Sequence, residues 1–340
     1  MTQDAPASDP GKLHFAVVGA GVAGLVCARE LCARGYRVTL YEARSTPGGR
    51  LSSAQTESGL CDLGTQYLTV QGEAFAREVG RWVSADLLRS WEPVLVEFSS
   101  GQAAYLQSFA HCFVGVPSMQ AISDHLAQGL DIVYDAPIGR ITRGSSEWYL
   151  FDPQDRPLGI VGFDGLVLAI PSIDALPLLG EHSDFAPRLQ SVRWDACWSA
   201  CLALSRPSGI EFDGAFITDD PILGWAARES SKPQRQLPDG VAERWVLQAR
   251  ASWSNNFAEL PADDAARWMQ RALAARLARP MAQKFCTATR WRVGFPSGSL
   301  PESFLWDPAR AIGLAGDWCG GARVEAAYLS GVALARAITG

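Results

Sequence analysis

Three glycines, Gly19, Gly21 and Gly24, spaced by Ala20 and by Val22-Ala23, form a GxGxxG at the end of an apolar run. A carboxylate, Glu42, follows at roughly the 20-residue spacing that places it beside a bound nucleotide. These types and this spacing state a chemistry. The first glycine permits a tight turn, the second lets backbone approach a pyrophosphate, and the third lets a helix pack on a strand, while the N–H groups opening that helix donate to an anion. Glu42 can accept both hydroxyls of an adenosine ribose. Alone the glycines would equally serve a structural turn; with Glu42 they predict a dinucleotide site. A second junction, "AGDWCGGARVEAAYLSG" from Ala315 to Gly331, ends an apolar strand on Gly316-Asp317, adds an aromatic and two glycines, and launches a helix in small residues. Such a junction brings backbone close to something flat and polar.

The elements that must position these residues follow from periodicity. Residues 13–42, "LHFAVVGAGVAGLVCARELCARGYRVTLYE", read as a βαβ unit: Leu25, Ala28, Leu31 and Cys32 recur at helical spacing, Gly35 stops the helix, and "RVTLYE" is β-rich. "DIVYDAPIGRITRG" and "SEWYLFDPQDRPLGIVGFDGLVLAIP" predict a β-meander and then a buried strand at Leu166–Ile170. From about 185 to 285 the pattern changes to β-rich pieces, "WSACLALS" and "RWVLQARASWS", with one helix, "DDAARWMQRALAARLA". "AIGLAGD" then returns to the N-terminal style, which predicts a discontinuous first domain with a second inserted.

Composition narrows the classes. The chain has 340 residues, 48% of them hydrophobic, which is enough for a sizeable core. A formal charge of −6 with scattered basic residues gives no footprint for nucleic acid or an anionic membrane. The start, "MTQDAPASDPGK", lacks the basic and apolar regions of a signal peptide, so residues 1–11 are expected to be a disordered leader and the chain cytoplasmic. The apolar run from Phe15 to Ala28 is too short to span a bilayer. Eight cysteines include no CxxC, and the close pairs Cys27/Cys32 and Cys197/Cys201 have no histidine nearby, so reduced thiols and no metal are expected. His14, His111, His125 and His182 lie apart from the glycine motifs, and no GxSxG elbow occurs.

After Glu42 the sequence runs "ARSTPGGR", and here it resembles the flavin-dependent amine oxidase superfamily, whose ribose carboxylate is followed by a Gly-Gly-Arg turn. The resemblance implies non-covalent FAD. It places Ala43, Arg44, Gly49 and Arg50 against ribose and phosphates, a role the planar guanidinium suits. "CDLGTQYLT" (Cys61–Thr69) looks like the stretch beside the flavin ring, carrying Gly64, Thr65, Gln66, Tyr67 and Thr69, and "PIGRI" like the strand whose backbone meets adenine at Ile138. The resemblance sends Asp317 to the ribityl chain. Gly320 and Gly321 would then let the chain pass the ring edge, and a helix from about Ala322, with Arg323, Val324 and Glu325, would aim its N-terminal donors at the pyrimidine side. Cys319 beside the flavin raises a covalent link, which the family implication disfavours.

Across nearly the whole chain "CDLGTQYLT", "GWAARESSKPQR", "WVLQARASWS", "TRWRVGFP" and "GDWCGGARVEAAYLSG" resemble the renalase-like flavoproteins. That resemblance implies an oxidase of dihydronicotinamide dinucleotides reduced at ring position two or six, returning NAD(P)+ and passing electrons to O2 to give H2O2. The implied partners are a small dinucleotide and O2, with neither nucleic acid nor membrane, in a monomer or homodimer. The implied fold is α/β: a discontinuous Rossmann-like FAD-binding domain (12–76, 112–184 and 286–340) with an inserted α+β substrate domain on an antiparallel sheet (77–111 and 185–285). Gln66, Tyr67 and Thr69 are expected beside the flavin, with Trp225, Arg228, Lys232 and Trp291 from the substrate domain; core packing is the competing role for the tryptophans. Within "ARESSKPQR", Glu229 stands where the family has Asn and Gln234 where it has Gly, and a carboxylate in the pocket would repel a phosphorylated substrate. The alternatives are an amine or other small-molecule oxidase, disfavoured because only Lys12, Lys232 and Lys284 occur and none lies in "WDACWSACLALS", and a flavin-binding sensor, which would be expected to carry an added partner segment.

Overall fold

A computed structural model describes residues 12–107, 110–159 and 161–340, so the expected leader lies outside the described residues. Two large sheets organise the chain. The first has six strands, in the spatial order Asp131–Val133, Arg37–Tyr41, His14–Val18, Gly165–Leu168, Ile312–Leu314 and Leu305–Asp307. All neighbours are parallel except the last pair, and the central strand His14–Val18 is buried along its length. Alternation explains why that strand reads as a continuous apolar run. Phe15 and Val17 enter the core under the helices Val22–Ala33 and Val324–Thr339, while Ala16 and Val18 enter the core on the opposite face. The two helices touch backbone to side: a Cβ at Gly331 would lie 2.4 Å from the Ala23 carbonyl oxygen.

The second sheet has seven strands, in the order Gln283–Pro296, Trp194–Leu204, Glu243–Ala249, Leu223–Arg228, Gly214–Ile217, Leu95–Ser99 and Gln102–Tyr105. It is antiparallel throughout except where Gly214–Ile217 runs parallel to Leu95–Ser99. The helix Ala262–Arg276 covers one face, around Trp245 and Met269. The other face looks toward the first sheet, and the cleft between them holds the candidate site.

Several expected boundaries move. The strand Gln283–Pro296 pairs with Trp194–Leu204 as far as Trp194↔Pro296, so the first domain resumes after 296 rather than at 286. Of the described residues within 77–111, only Leu95–Ser99 and Gln102–Tyr105 join the second sheet. The helix Glu73–Ser84 crosses the expected break at 76/77 and sets Phe75 and Trp82 against Tyr328 of the C-terminal helix, while Leu88–Trp91 pairs with Cys112–Gly115. "ASWS" continues as the helix Ala251–Asn256 instead of a strand. Among the described residues no helix is long and apolar enough to cross a membrane.

Gly331→Ala forces the two helices of the first domain apart, and overpacking of this kind costs about 1–3 kcal/mol. A lowered urea midpoint with unchanged slope is expected; an unchanged midpoint would show that the helices have room to give.

Candidate functional site

The glycine turn is shaped by close approach. Gly19 has φ of +100° and would place a Cβ 2.7 Å from the Ala169 carbonyl oxygen; a Cβ on Gly24 would sit 2.0 Å from the Gly19 carbonyl oxygen. Gly21 differs, because nothing lies within 4 Å of its Cβ position. It caps the helix Val22–Ala33 with no side-chain partner, so the unpaired N–H groups of the first turn open into the cavity, as an anion site requires. Ala20, Ala23 and Gly24 lie behind the turn in the packing. Glu42 follows the neighbouring strand Arg37–Tyr41, with one carboxylate oxygen accepting from the Ala20 N–H (2.7 Å) and the other from the Arg44 N–H (3.0 Å), which fixes the carboxylate at the cavity wall. Gly48 N–H bonds to the Ala20 carbonyl (2.8 Å), folding the "TPGGR" turn over the glycine motif.

The cavity is about 1410 Å³, larger than the roughly 300–1,000 Å³ of an ordinary small-molecule site. Gly19, Gly21, Glu42, Ala43, Arg44, Gly49, Arg50 and Ile138 line one end of it, and Gly64, Thr65, Gln66, Tyr67, Thr69, Asp317, Arg323 and Val324 continue the wall. Arg50 and Asp317 form a bidentate pair (2.7 and 2.7 Å), so in this structure each occupies the other. Gly64 has no room for a side chain, since a Cβ would lie 2.1 Å from the Arg50 carbonyl oxygen. Gln248 Nε2 donates to the Gly64 carbonyl (2.8 Å) and holds the segment from the second sheet. Gly316 lies outside the lining and makes room for the Trp318 indole, and the C-terminal helix starts at Val324, not Ala322. Glu325 turns its carboxylate away to accept the Gln71 and Gly72 N–H groups (2.8 and 2.7 Å), which fixes the approach to the helix Glu73–Ser84. The Cys319 thiol is buried outside the lining and pushed up to about 12, first by burial and then by the Asp317 charge, so it is no nucleophile at neutral pH.

Of the four residues expected from the second domain, two line the cavity. Trp225 faces it beside Tyr67 (ring centroids 5.8 Å) and Phe216 (4.7 Å), and its indole N–H has no protein partner. Burial pushes the Tyr67 phenol up to about 12, so it stays neutral. Trp291 lines the cavity edge, donates to the Leu63 carbonyl (2.9 Å) and lies under the Arg44 guanidinium. Arg228 does not join them. It shares a strand with Trp225 three positions away, and an odd offset puts it on the opposite face, where it bonds to the Ile210 and Phe212 carbonyls over Trp245. Lys232 is withdrawn too, inside a buried quartet: its Nζ lies 2.5 Å from Glu229, Arg235 bonds to Glu229 (2.9 Å) and Asp62 (2.6 Å), and Lys232 Nζ also reaches Gln66 Oε1 (3.2 Å). Glu229 is therefore neutralised by two cations and repels nothing in the cavity. Gln234, at φ of +58°, takes a left-handed turn that leads into Arg235. Sequence reasoning missed Phe216, Gln248 and Arg250. Gln248 is the cross-strand neighbour of Trp225, a signal visible only once the pairing is known.

Among the described residues, six arginines (Arg44, Arg50, Arg250, Arg290, Arg292 and Arg323) and three carboxylates (Glu42, Asp174 and Asp317) line this cavity, with no lysine or histidine. The wall thus presents a carboxylate for a ribose, a bare helix N-terminus and surplus positive charge for phosphates, and length beyond. A flavin dinucleotide fits this donor set, and Gly21 leaves the approach open. Among the described residues no cluster of His, Cys, Asp and Glu could hold a metal ion.

Comparison with known proteins agrees with this geometry. Residues 17–79 match the NAD(P)-binding Rossmann-like domain family. About a fifth of the chain is similar to lysine-specific histone demethylase 1 homolog 1 of Arabidopsis thaliana (41% identity over 76 residues, 20% of this chain and 9% of that protein). The chain is also similar to the neurosporene-forming phytoene desaturase of Cereibacter sphaeroides (41% over 70 residues, 21% and 13%) and to the L-amino-acid oxidase of Siganus canaliculatus (35% over 86 residues, 25% and 15%). The chain thus spans well under two thirds of these relatives. Solved structures match along its length: a protein of Exiguobacterium sp. 255-15 provisionally assigned as a protoporphyrinogen oxidase (12% identity, TM-score 0.75, 96% of this chain and 99% of that one) and the cyclohexylamine oxidase of Brevibacterium oxydans (14%, 0.72, 96% and 99%). These likenesses establish the fold: a Rossmann-like dinucleotide domain joined to a second sheet.

Glu229→Gln leaves Lys232 and Arg235 buried with one carboxylate between them, and breaking such a network costs about 3–5 kcal/mol. The Asp62 carboxyl feels burial, which raises it, but Lys232, Arg235 and hydrogen bonds from Ser53 and the Met119 N–H hold it below the usual carboxylate range. A depressed folded value contributes stability above the unfolded value near about 4 and loses it as pH falls through the folded one. Urea unfolding between pH 7 and pH 3 should show that loss in the wild type, and a midpoint for Glu229→Gln equal to wild type would refute the quartet's role.

Proposed function

We propose that this protein is an oxidoreductase with non-covalent FAD that oxidises dihydronicotinamide dinucleotides reduced at ring position two or six to NAD(P)+. One observation carries the substrate class: the cavity's positive surplus in a chain whose formal net charge is −6. Two of the lining carboxylates are already committed to arginines, Asp317 to Arg50 and Asp174 to Arg292, leaving Glu42 for a ribose. Beyond the dinucleotide end, the Arg250 guanidinium, which has no carboxylate partner among the described residues, repels a protonated amine and attracts an anionic dinucleotide. Among the described residues no lysine lines the cavity, and Lys232 is locked in the buried quartet.

FAD held by Gly21, Glu42 and the first turn of the helix Val22–Ala33 would supply the two-electron acceptor, with O2 as the final oxidant. The chain's own work is positioning. A dihydropyridine that gives up hydride becomes an aromatic cation, so no general base is needed, in keeping with a lining without histidine. Tyr67, Trp225 and Phe216 form an aromatic wall against which a flat ring can lie, and Gln248 and Gln66 hold the Gly64–Tyr67 segment by donating to the Gly64 carbonyl.

Anaerobic stopped-flow mixing tests the reading. Flavin absorbance should bleach with the 2- and 6-dihydro isomers and stay unchanged with ordinary NADH or with a panel of amines. Trp225→Ala should slow the bleaching on the order of 10- to 100-fold, the scale of a misplaced reactant. Bleaching by an amine alone would move the protein to amine oxidation.

A further inference from the structure

Three of the six lining arginines, Arg44, Arg250 and Arg323, form no ion pair with a carboxylate among the described residues; Arg50, Arg290 and Arg292 pair with Asp317, Glu259 and Asp174. Arg44 and Arg323 belong to the dinucleotide end, one beside Glu42 and over Trp291, the other capping the C-terminal helix. Arg250 lies elsewhere. It leaves the strand Glu243–Ala249 just past Gln248, the neighbour of Trp225, and lines the cavity together with Phe216, Gly224 and Trp225. One of its amines donates to the Thr218 carbonyl (2.7 Å), which anchors the guanidinium while leaving its other donors without a protein partner among the described residues. Gly224 lies against its stem, where a Cβ would be 3.6 Å from Arg250 Cγ, so no side chain from that position covers it.

An anchored, unpaired guanidinium beside an aromatic wall is a recognition element with two parts. We infer that Arg250 is the anion anchor of the substrate compartment: it holds a phosphate of the substrate while the ring lies against Trp225 and Phe216, and so selects phosphorylated dihydronicotinamides over the neutral riboside. This rests on the proposed function for the identity of the ring, while the charge requirement follows from Arg250 itself. Guanidinium suits the task because it can bond two phosphate oxygens at once from a fixed orientation, which an ammonium cannot.

The test compares 6-dihydro-NAD, 6-dihydronicotinamide mononucleotide and the uncharged 6-dihydronicotinamide riboside on the FAD-loaded protein. Arg250→Ala should raise KM for the two phosphorylated substrates on the order of 10- to 100-fold, the worth of a charge-assisted hydrogen bond, with kcat changed little. The riboside should show no such loss, and Arg250→Lys should recover part of it. Added salt should raise KM in wild type and much less in Arg250→Ala. Equal losses on riboside and phosphorylated substrates would reduce Arg250 to a support for the Thr218 loop, and unchanged KM values would remove it from recognition. If no dihydronicotinamide bleaches the wild-type flavin, the proposed reaction fails and the anchor is judged separately by titrating redox-inert ADP-ribose against tryptophan fluorescence. There, binding at least tenfold weaker in Arg250→Ala supports the anchor, and equal binding overturns it.

Discussion

Backbone must touch backbone where the pieces of this protein meet, and the side-chain-free residue makes that possible. Gly24 lets the first helix lie against the Gly19 carbonyl, Gly64 lets the flanking segment lie against the Arg50 carbonyl, and Gly331 lets the last helix lie against the Ala23 carbonyl. Each contact fixes one wall of the same cavity. The first sets a bare helix N-terminus at one end, the second brings Gln66 and Tyr67 to the middle, and the third seats the helix whose start carries Arg323 and Val324. A methyl group at any of the three would have to be absorbed by a shift of main chain, which packed interiors resist.

Electrostatics then divides the cleft into a neutral foundation and a charged chamber. Beneath the Gly64–Tyr67 segment, Asp62 and Glu229 face Lys232 and Arg235 in a balanced quartet that joins the two domains and grips Gln66. Above it, the cavity keeps more guanidinium than carboxylate. The division answers why the one lysine near the centre does no chemistry there: its charge is spent on holding the floor. It also explains how an acidic protein can attract an anion, since the field that matters is the local one inside low-dielectric walls.

Local features of the sequence were legible and long-range ones were not. The βαβ unit, Glu42 and the Gly316-Asp317 junction are each encoded within a few turns of chain, so pattern and spacing located them in the wall or just behind it. Arg228 is separated from Trp225 by strand alternation alone, once both are assigned to the single strand Leu223–Arg228. Glu229 looked like a pocket charge although its partners Lys232 and Arg235 stand three and six residues on, because spacing alone does not show that the group is buried and closed off by Asp62 from far back in the chain. The end of the second domain at Pro296 rather than 286 was hidden for the same reason, as a long edge strand announces its length only through its partner Trp194–Leu204. Glu325, read as part of the cofactor wall, turned out to serve a helix start in another segment.

The account rests on the cleft being built for one non-covalent FAD. Native mass spectrometry of the protein as purified, followed by the same sample under denaturing conditions, measures this most directly. One FAD per chain in the native spectrum and the bare chain mass after denaturation are predicted. A nicotinamide dinucleotide in its place, no affinity for added FAD, or a flavin adduct surviving denaturation would contradict the account.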